Sequence, residues 1–205
     1  MNNYFLSENC FVYSISENLS INDNLNVIRI YKDIYSDKEF RNYYNITDIV
    51  PAYNSIAFHH AHTDHIKLKE AILRKIIALD NQSHIESKIH IIEVRYDGID
   101  LQQSVKRLGI TVEQLISKHT STEYHIAMLG FKPYFPYLLG LDKSISIPRL
   151  KTPRNRIDVG SIGIGGSQTT VFTTDSPSGW NIIGNTNFRN FSDFSPGDKI
   201  IFKEV

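Results

Sequence analysis

The sequence is short of cysteine, of net charge and of long hydrophobic runs. Its 205 residues include one cysteine, Cys10, so no disulfide can form within the chain, and a reducing compartment is expected. The 22 basic and 22 acidic residues balance. The sequence has no basic stripe of the kind that binds nucleic acid, so no nucleic-acid partner is expected. No apolar run reaches roughly eighteen residues, and the N-terminus lacks the pattern of a signal peptide. We therefore expect a cytoplasmic protein with no membrane partner.

The first part of the chain mixes strand and helix patterns. Residues 10–15 alternate as a strand does, whereas apolar residues in 22–35 and 65–79 recur at helical spacing. Residues 48–60 predict a strand pair that is broken near Pro51, because proline cannot donate to a central ladder. These patterns predict a small α/β domain.

A polar, turn-rich stretch at 80–88 predicts a linker. The strand predicted at 88–96 is followed by two short helices. Gly109 stands where it can end the first helix, and Thr111 where it can begin the second.

Beyond Tyr124 the helical periodicity disappears, and glycine and proline interrupt short apolar runs such as GSIGIGG and KIIFKEV. Short strands with frequent turns are typical of a barrel or sandwich rather than a parallel α/β sheet. The sequence therefore predicts an α+β protein, with a small N-terminal α/β domain at residues 1–85 and a β-rich domain at residues 89–205.

One string resembles a metal motif. Residues 60–65, HAHTDH, match the HxHxDH zinc-binding pattern of metallo-β-lactamase-type hydrolases, and such ligands can hold zinc with an activated water. That fold needs further ligands at later strand ends, and histidines such as His84 and His90 lack such a setting. Asp64 also lies where it can cap the following helix. We therefore expect a capping role for Asp64 and no metal in this chain, with zinc as the alternative.

The β-rich half carries the candidate functional residues. Two Pro-Arg pairs can aim guanidinium groups at a carboxylate or phosphate, a histidine can act as acid or base, and an aromatic loop can form a wall. The structural alternatives are a core role for the aromatics, ion pairs for the arginines and a helix-dipole contact for the histidine. The candidate catalytic residues are His119, Tyr124, Arg149 and Arg154. The candidate substrate-binding residues are Phe131, Pro133, Phe135, Tyr137, Ser161, Gln168 and Trp180.

Three segments resemble one known family. GFKPYFPYL (residues 130–138), PRLKTPRNRIDVGSIGI (148–164) and SPSGWNIIGNT (176–186) are similar to motifs of a family that contains the small (B) subunit of 5-oxoprolinase, KipI and allophanate hydrolase subunit 1. The resemblance covers nearly the whole chain. It implies an N-terminal α/β domain followed by a cyclophilin-like β-barrel.

The resemblance also implies a function. The small 5-oxoprolinase subunit works with a larger paralogous partner (the KipA-like C subunit) and with a third protein (the A subunit), and the complex uses ATP to convert 5-oxoproline to glutamate. A composite site with the larger partner and ATP in the complex are therefore expected. Two alternatives remain open: a KipI-like inhibitor of a sensor histidine kinase, and a carboxyltransferase or allophanate hydrolase-type protein of altered activity.

The chain departs from the family pattern at several positions. Tyr134 stands where the family usually has glycine, and Ser178 replaces the first glycine of PGGW. Residues 169–174, TTVFTT, replace a turn that usually contains glycine and proline. These changes are expected to add bulk or polarity near the cleft, which is compatible with a diverged paralogue.

Overall fold

The computed structural model of the protein describes residues 3–17, 19–61, 64–79 and 87–205. Two compact units divide the chain, Met1–Glu86 and Ser87–Val205. The first unit is an α/β layer and the second a barrel-like sheet, which confirms the predicted fold class. Most of the linker predicted at 80–88 lies outside the described residues. No helix in the described part of the chain is long and apolar enough to cross a membrane.

The first unit contains strands and helices in alternating groups. In the described residues these are β1 (Tyr4–Ser7), β2 (Cys10–Ser14), α1 (Ile21–Ser36), α2 (Lys38–Tyr43), β3 (Ile46–Pro51), β4 (Ser55–His60) and α3 (His65–Ala78). The strands form an antiparallel sheet with the order β1-β2-β4-β3. Side chains from α1, α3 and the inner strands share one core, because the apolar stripe of each helix faces the apolar side of the sheet.

Local signals explain where these elements begin and end. The Ser20 hydroxyl accepts a hydrogen bond from the Asp23 amide and caps α1. The Asp64 carboxylate accepts from the amides of Ile66 and Lys67 and caps α3, as the sequence predicts. The break between β3 and β4 after Pro51 is also confirmed.

The second unit begins with β5 (Ile89–Val94) and two helices, α4 (Leu101–Leu108) and α5 (Val112–Thr120). Gly109 ends α4 in a left-handed conformation, with φ of 69°, which glycine adopts without strain. Thr111 begins α5 in a capping box with Gln114. Both helix boundaries confirm the sequence prediction.

Further strands complete the second unit. They are β6 (Glu123–Leu129), β7 (Pro136–Leu139), β8 (Arg154–Ile157), β9 (Ser161–Gly165), β10 (Gln168–Val171), β11 (Ser176–Ser178), β12 (Asn181–Asn185) and β13 (Lys199–Glu204). Seven strands pair in the order β12-β9-β10-β7-β6-β13-β5, and β8 pairs with β11 as a separate ribbon. Reciprocal hydrogen bonds of 2.9 and 2.8 Å between Arg95 and Asn185 join the two ends, so the sheet is nearly closed. The sequence did not predict the parallel pairing of β5 with β13.

Candidate functional site

A cleft of about 320 Å³ lies in the second unit. Its walls consist of aromatic and small side chains together with one charged group. The lining residues are Phe131, Phe135, Tyr137, Arg149, Pro153, Pro177, Ser178, Gly179 and Trp180. Five of the predicted site residues thus meet in one place. The sequence did not single out Pro153, Pro177, Ser178 and Gly179 as site residues, although they stand inside the motifs that carry the family resemblance.

The aromatic wall of the cleft belongs to a small core that is separate from the main barrel core. Phe135 and Trp180 are both buried, with ring centroids 6.4 Å apart, and Tyr137 lies 6.2 Å from Trp180. A methyl group on Gly165 would lie only 2.8 Å from the indole of Trp180, so the ring packs flat against strand backbone there. This packing fixes the position of Trp180.

Arg149 is the single charged residue among the described residues that line the cleft. Its side chain is exposed, and its guanidinium carbon lies 5.0 Å from the centroid of the Trp180 ring, in cation–π geometry. None of these lining residues is acidic. Burial raises the pKa of the Tyr137 phenol, and the positive charge of Arg149 acts in the opposite direction. The cleft therefore offers an available cation beside aromatic faces, which suits a small anion with a flat body.

Ser178, where the resemblance led us to expect a glycine, shapes the turn before Trp180. Its hydroxyl oxygen accepts a hydrogen bond of 3.1 Å from the Trp180 amide, and the residue is 8% exposed at the cleft wall. The added polarity expected here is therefore directed at the backbone rather than into open space.

Tyr134, the other position where the resemblance led us to expect a glycine, lies on the loop between β6 and β7. Its φ of 60° is in the left-handed region, which explains why glycine suits this position. The side chain is 47% exposed and does not line the cleft.

Replacing Tyr134 by glycine is therefore expected to relieve backbone strain without changing the cleft. Because a left-handed residue with a Cβ costs about 1 kcal/mol, the free energy of unfolding of Tyr134→Gly should exceed that of Tyr134→Ala by roughly that amount. Chemical denaturation followed by Trp180 fluorescence measures the difference. Equal stability of the glycine and alanine variants would contradict this explanation.

His119 and Tyr124, predicted as catalytic, lie in the barrel interior and not at the cleft. His119 is fully buried, with Nδ1 2.7 Å from the Tyr96 hydroxyl and Nε2 3.0 Å from the Thr169 hydroxyl. The Thr169 hydroxyl donates to the Gly163 carbonyl, so Nε2 carries the imidazole proton and Tyr96 donates to Nδ1. Desolvation lowers the pKa of His119 to about 3. The imidazole is thus a neutral member of a buried polar chain.

Tyr124, on strand β6, also belongs to this buried hydrogen-bond network. Its hydroxyl donates to the His119 carbonyl at 3.0 Å, and burial raises the pKa of the phenol. The His119 ring also stacks on Phe202, with centroids 4.7 Å apart. These contacts join the end of α5 to β6 and β13.

The other predicted site residues are spread over the second unit. Ser161 and Gln168 are buried in neighbouring strands of the barrel wall. Pro133 is exposed on the β6–β7 loop, where its carbonyl accepts a hydrogen bond from Thr173. Arg154 follows a cleft-lining proline, but its guanidinium is held by a buried carboxylate that the sequence did not single out.

The HxHxDH segment lies in the first unit. His60 is buried at the end of β4, desolvation lowers its pKa, and Asp64 is engaged as the helix cap. His62 and Thr63 lie outside the described residues. Within the ranges that the structure describes, no three His, Cys, Asp or Glu side chains come close enough to hold a metal ion.

Fold and cleft together define a class of proteins in which an α/β unit precedes a nearly closed barrel with a small aromatic cleft. The family model for the carboxyltransferase domain, subdomain C and D, matches residues 1–199. The chain therefore belongs to this family.

Curated relatives carry one name, that of the 5-oxoprolinase B subunit. The chain is 31% identical over 170 residues to the protein of this name from Escherichia coli O157:H7, covering 77% of this chain and 78% of that protein. It is 37% identical over 122 residues to the protein of the same name from Bacillus subtilis (strain 168), covering 58% of this chain and 51% of that one. The second match thus spans about half the length of that relative.

Solved structures show the same fold. The chain matches the crystal structure of TTHA0988 with a TM-score of 0.82 and 26% identity, covering 96% of this chain and 40% of that one. The uncharacterized protein PH0987 from Pyrococcus horikoshii matches with a TM-score of 0.55 and 28% identity, covering 100% and 97%. Urea amidolyase of K. lactis matches at 15% identity with a TM-score of 0.76, and this likeness shows the fold alone.

Proposed function

We propose that this chain is the small (B) subunit of an ATP-dependent 5-oxoprolinase, and that its cleft forms part of a composite site with the larger C subunit. The relatives that bear the name of the 5-oxoprolinase B subunit support this place in a complex. The observation that carries the ligand assignment is Arg149, an exposed cation above the Trp180 ring in a cleft without acidic groups among its described lining residues.

The chemistry of 5-oxoproline matches this arrangement. The molecule is a small, nearly flat lactam that carries one carboxylate. The guanidinium of Arg149 can donate two parallel hydrogen bonds to the carboxylate, while the Tyr137 ring at the cleft wall lies against the lactam. A cleft of about 320 Å³ is at the small end of ligand sites, which range over roughly 300–1,000 Å³. In this proposal the cleft binds and orients the substrate.

ATP is assigned to the complex rather than to this cleft. A triphosphate requires several cations or a cradle of backbone amides, whereas Arg149 is the single cation among the described lining residues. The cleft residues therefore do not fit the nucleotide. The two partner proteins, the A and C subunits, are proposed to supply the ATP site. The larger of them is also proposed to cover the exposed rim at Phe131, whose side chain is 58% exposed.

Binding of L-5-oxoproline to the isolated chain tests the ligand assignment. Trp180 is the single tryptophan of the sequence, so a fluorescence titration reports on the cleft directly. Because a hydrogen bond to a charged group contributes about 1.5–3 kcal/mol, Arg149→Gln is expected to raise the Kd roughly tenfold to a hundredfold.

Arg156→Gln is the matched control. Arg156 is also an exposed arginine of the same region, but it pairs with Asp158 and Asp175 and does not line the cleft. The control should bind as the unmodified chain does. An Arg149→Gln variant with unchanged affinity would remove the ligand assignment. A reconstituted three-protein complex that releases no glutamate from 5-oxoproline with ATP would remove the proposed place in a 5-oxoprolinase.

A further inference from the structure

The loop that carries Arg149 is hydrogen-bonded on both sides of that residue. We define the Arg149 loop as residues 148–153. The Pro148 carbonyl accepts a hydrogen bond of 3.0 Å from the Asn181 side chain, and the Leu150 amide donates to the Gly179 carbonyl at 2.6 Å. Both partners stand beside Trp180. The loop and the Trp180 strand are therefore tied together on either side of Arg149.

A third attachment, at the far end of the Arg149 loop, is an ion pair. Arg154 follows the loop directly, and its two terminal nitrogens donate to the two oxygens of Asp100 at 2.9 and 2.6 Å. The Asp100 side chain is 3% exposed and that of Arg154 31%. A two-point, charge-assisted contact of this kind fixes the orientation of both side chains.

Asp100 also holds the strand that follows Trp180. Its Oδ2 accepts a hydrogen bond of 2.8 Å from the Ile182 amide, and its own amide donates to the Ile182 carbonyl at 2.9 Å. Asp100 precedes α4 but its side chain does not cap that helix. One buried carboxylate thus joins the start of α4, the start of β8 and β12.

We propose that Asp100 and Arg154 are positioning residues of the cleft, which set the distance between Arg149 and Trp180 without touching the ligand. Hydrogen bonds join the Arg149 loop directly to residues 179–181. Asp100 connects both to the start of α4, through its ion pair with Arg154 and its hydrogen bond with the Ile182 amide. A neutral residue in place of Asp100 leaves Arg154 without its counterion, and lysine in place of Arg154 loses the two-point contact, so either change frees the loop end. The inference concerns the same cleft as the proposed function, and it rests on that function for the ligand alone.

Two variants test the proposal in the full chain. Asp100→Asn keeps the shape but removes the charge, and Arg154→Lys keeps the charge but removes the two-point geometry. Both are expected to shift the Trp180 emission to longer wavelength and to increase its quenching by acrylamide, under conditions where circular dichroism shows native secondary structure. Because small misplacements of a binding group have large effects, the Kd for L-5-oxoproline is expected to rise about tenfold.

Arg156→Gln again provides the control, since Arg156 lies in the same strand β8 and forms ion pairs outside the cleft. Its Trp180 spectrum and Kd should equal those of the unmodified chain. If Asp100→Asn does not fold, Arg154→Lys decides the question by the same measurements. A lower melting temperature with unchanged Trp180 emission, quenching and Kd would show a purely structural ion pair and overturn the proposal. If the unmodified chain does not bind 5-oxoproline, the ligand assignment fails, while the Trp180 spectra still decide whether the pair positions the cleft.

Discussion

Replacing Gly98 by alanine is expected to destabilise the second unit by about 3 kcal/mol. A methyl group at this position would lie 2.4 Å from the Ile182 carbonyl oxygen and 2.5 Å from the Gly184 amide nitrogen. These are backbone atoms of β12, so they cannot turn aside as a side chain can. The chain would have to separate from β12 at the point where the barrel closes, next to the bonds between Arg95 and Asn185.

Urea denaturation followed by Trp180 fluorescence measures this loss in the second unit. Gly130→Ala is the matched control, because the methyl group there would meet the end of the flexible Met128 side chain at 2.9 Å. That side chain can move, so the control is expected to lose about 1 kcal/mol or less. Equal losses in the two variants would contradict the argument from backbone contact.

The buried imidazole of His119 is expected to make the protein less stable as the pH falls. In the folded chain its pKa is about 3, against 6.5 for an unperturbed histidine. Between these values the unfolded state binds the proton and the folded state does not. The free energy of unfolding therefore decreases as the pH falls below 6.5, by up to about 1.4 kcal/mol per pH unit from this group.

His119→Gln removes the group that titrates. The slope of the free energy of unfolding against pH should then fall by up to about 1.4 kcal/mol per pH unit, which corresponds to one proton, as measured by denaturation at several pH values between 6.5 and 4. Thr169→Val serves as the control. It removes the partner of Nε2 but keeps the imidazole, so stability should fall at every pH while the slope persists. A slope that is the same in His119→Gln and the unmodified chain would show that this histidine is not the group responsible.

The two arginines that follow prolines show which part of the site could be predicted from local sequence. Arg149 and Arg154 have the same local pattern, since each follows a proline. The structure places the first over Trp180 and the second on Asp100. Nothing in the local pattern separates the two, because the carboxylate that engages Arg154 lies 54 residues away in sequence.

His119 illustrates the same limit. The near-neutral reference pKa of histidine suggested an acid or base, yet the partners of His119, Tyr96 and Thr169, lie 23 and 50 residues away in sequence. Burial by these distant elements decides the protonation state of the imidazole. Local sequence patterns carry no information on that burial.

Two elements of the first unit were missed for a different reason. All four residues of β1 are exposed, and α2 has six residues without a buried side chain. Prediction from hydrophobic periodicity requires one buried face, so neither segment produces a signal.

The sequence by itself determined the features that depend on neighbours along the chain. Capping residues such as Asp64 and Thr111 set helix ends, helical spacing set α1 and α3, and the order of glycine, proline and aromatic motifs identified the family. Only the tertiary structure decided which side chains meet in the cleft, which arginine is exposed there rather than engaged in an ion pair, and which histidine is buried in the barrel. The physical reason is that hydrogen bonding is local for a helix end, whereas burial and ion pairing are set by strands that pair across long stretches of chain.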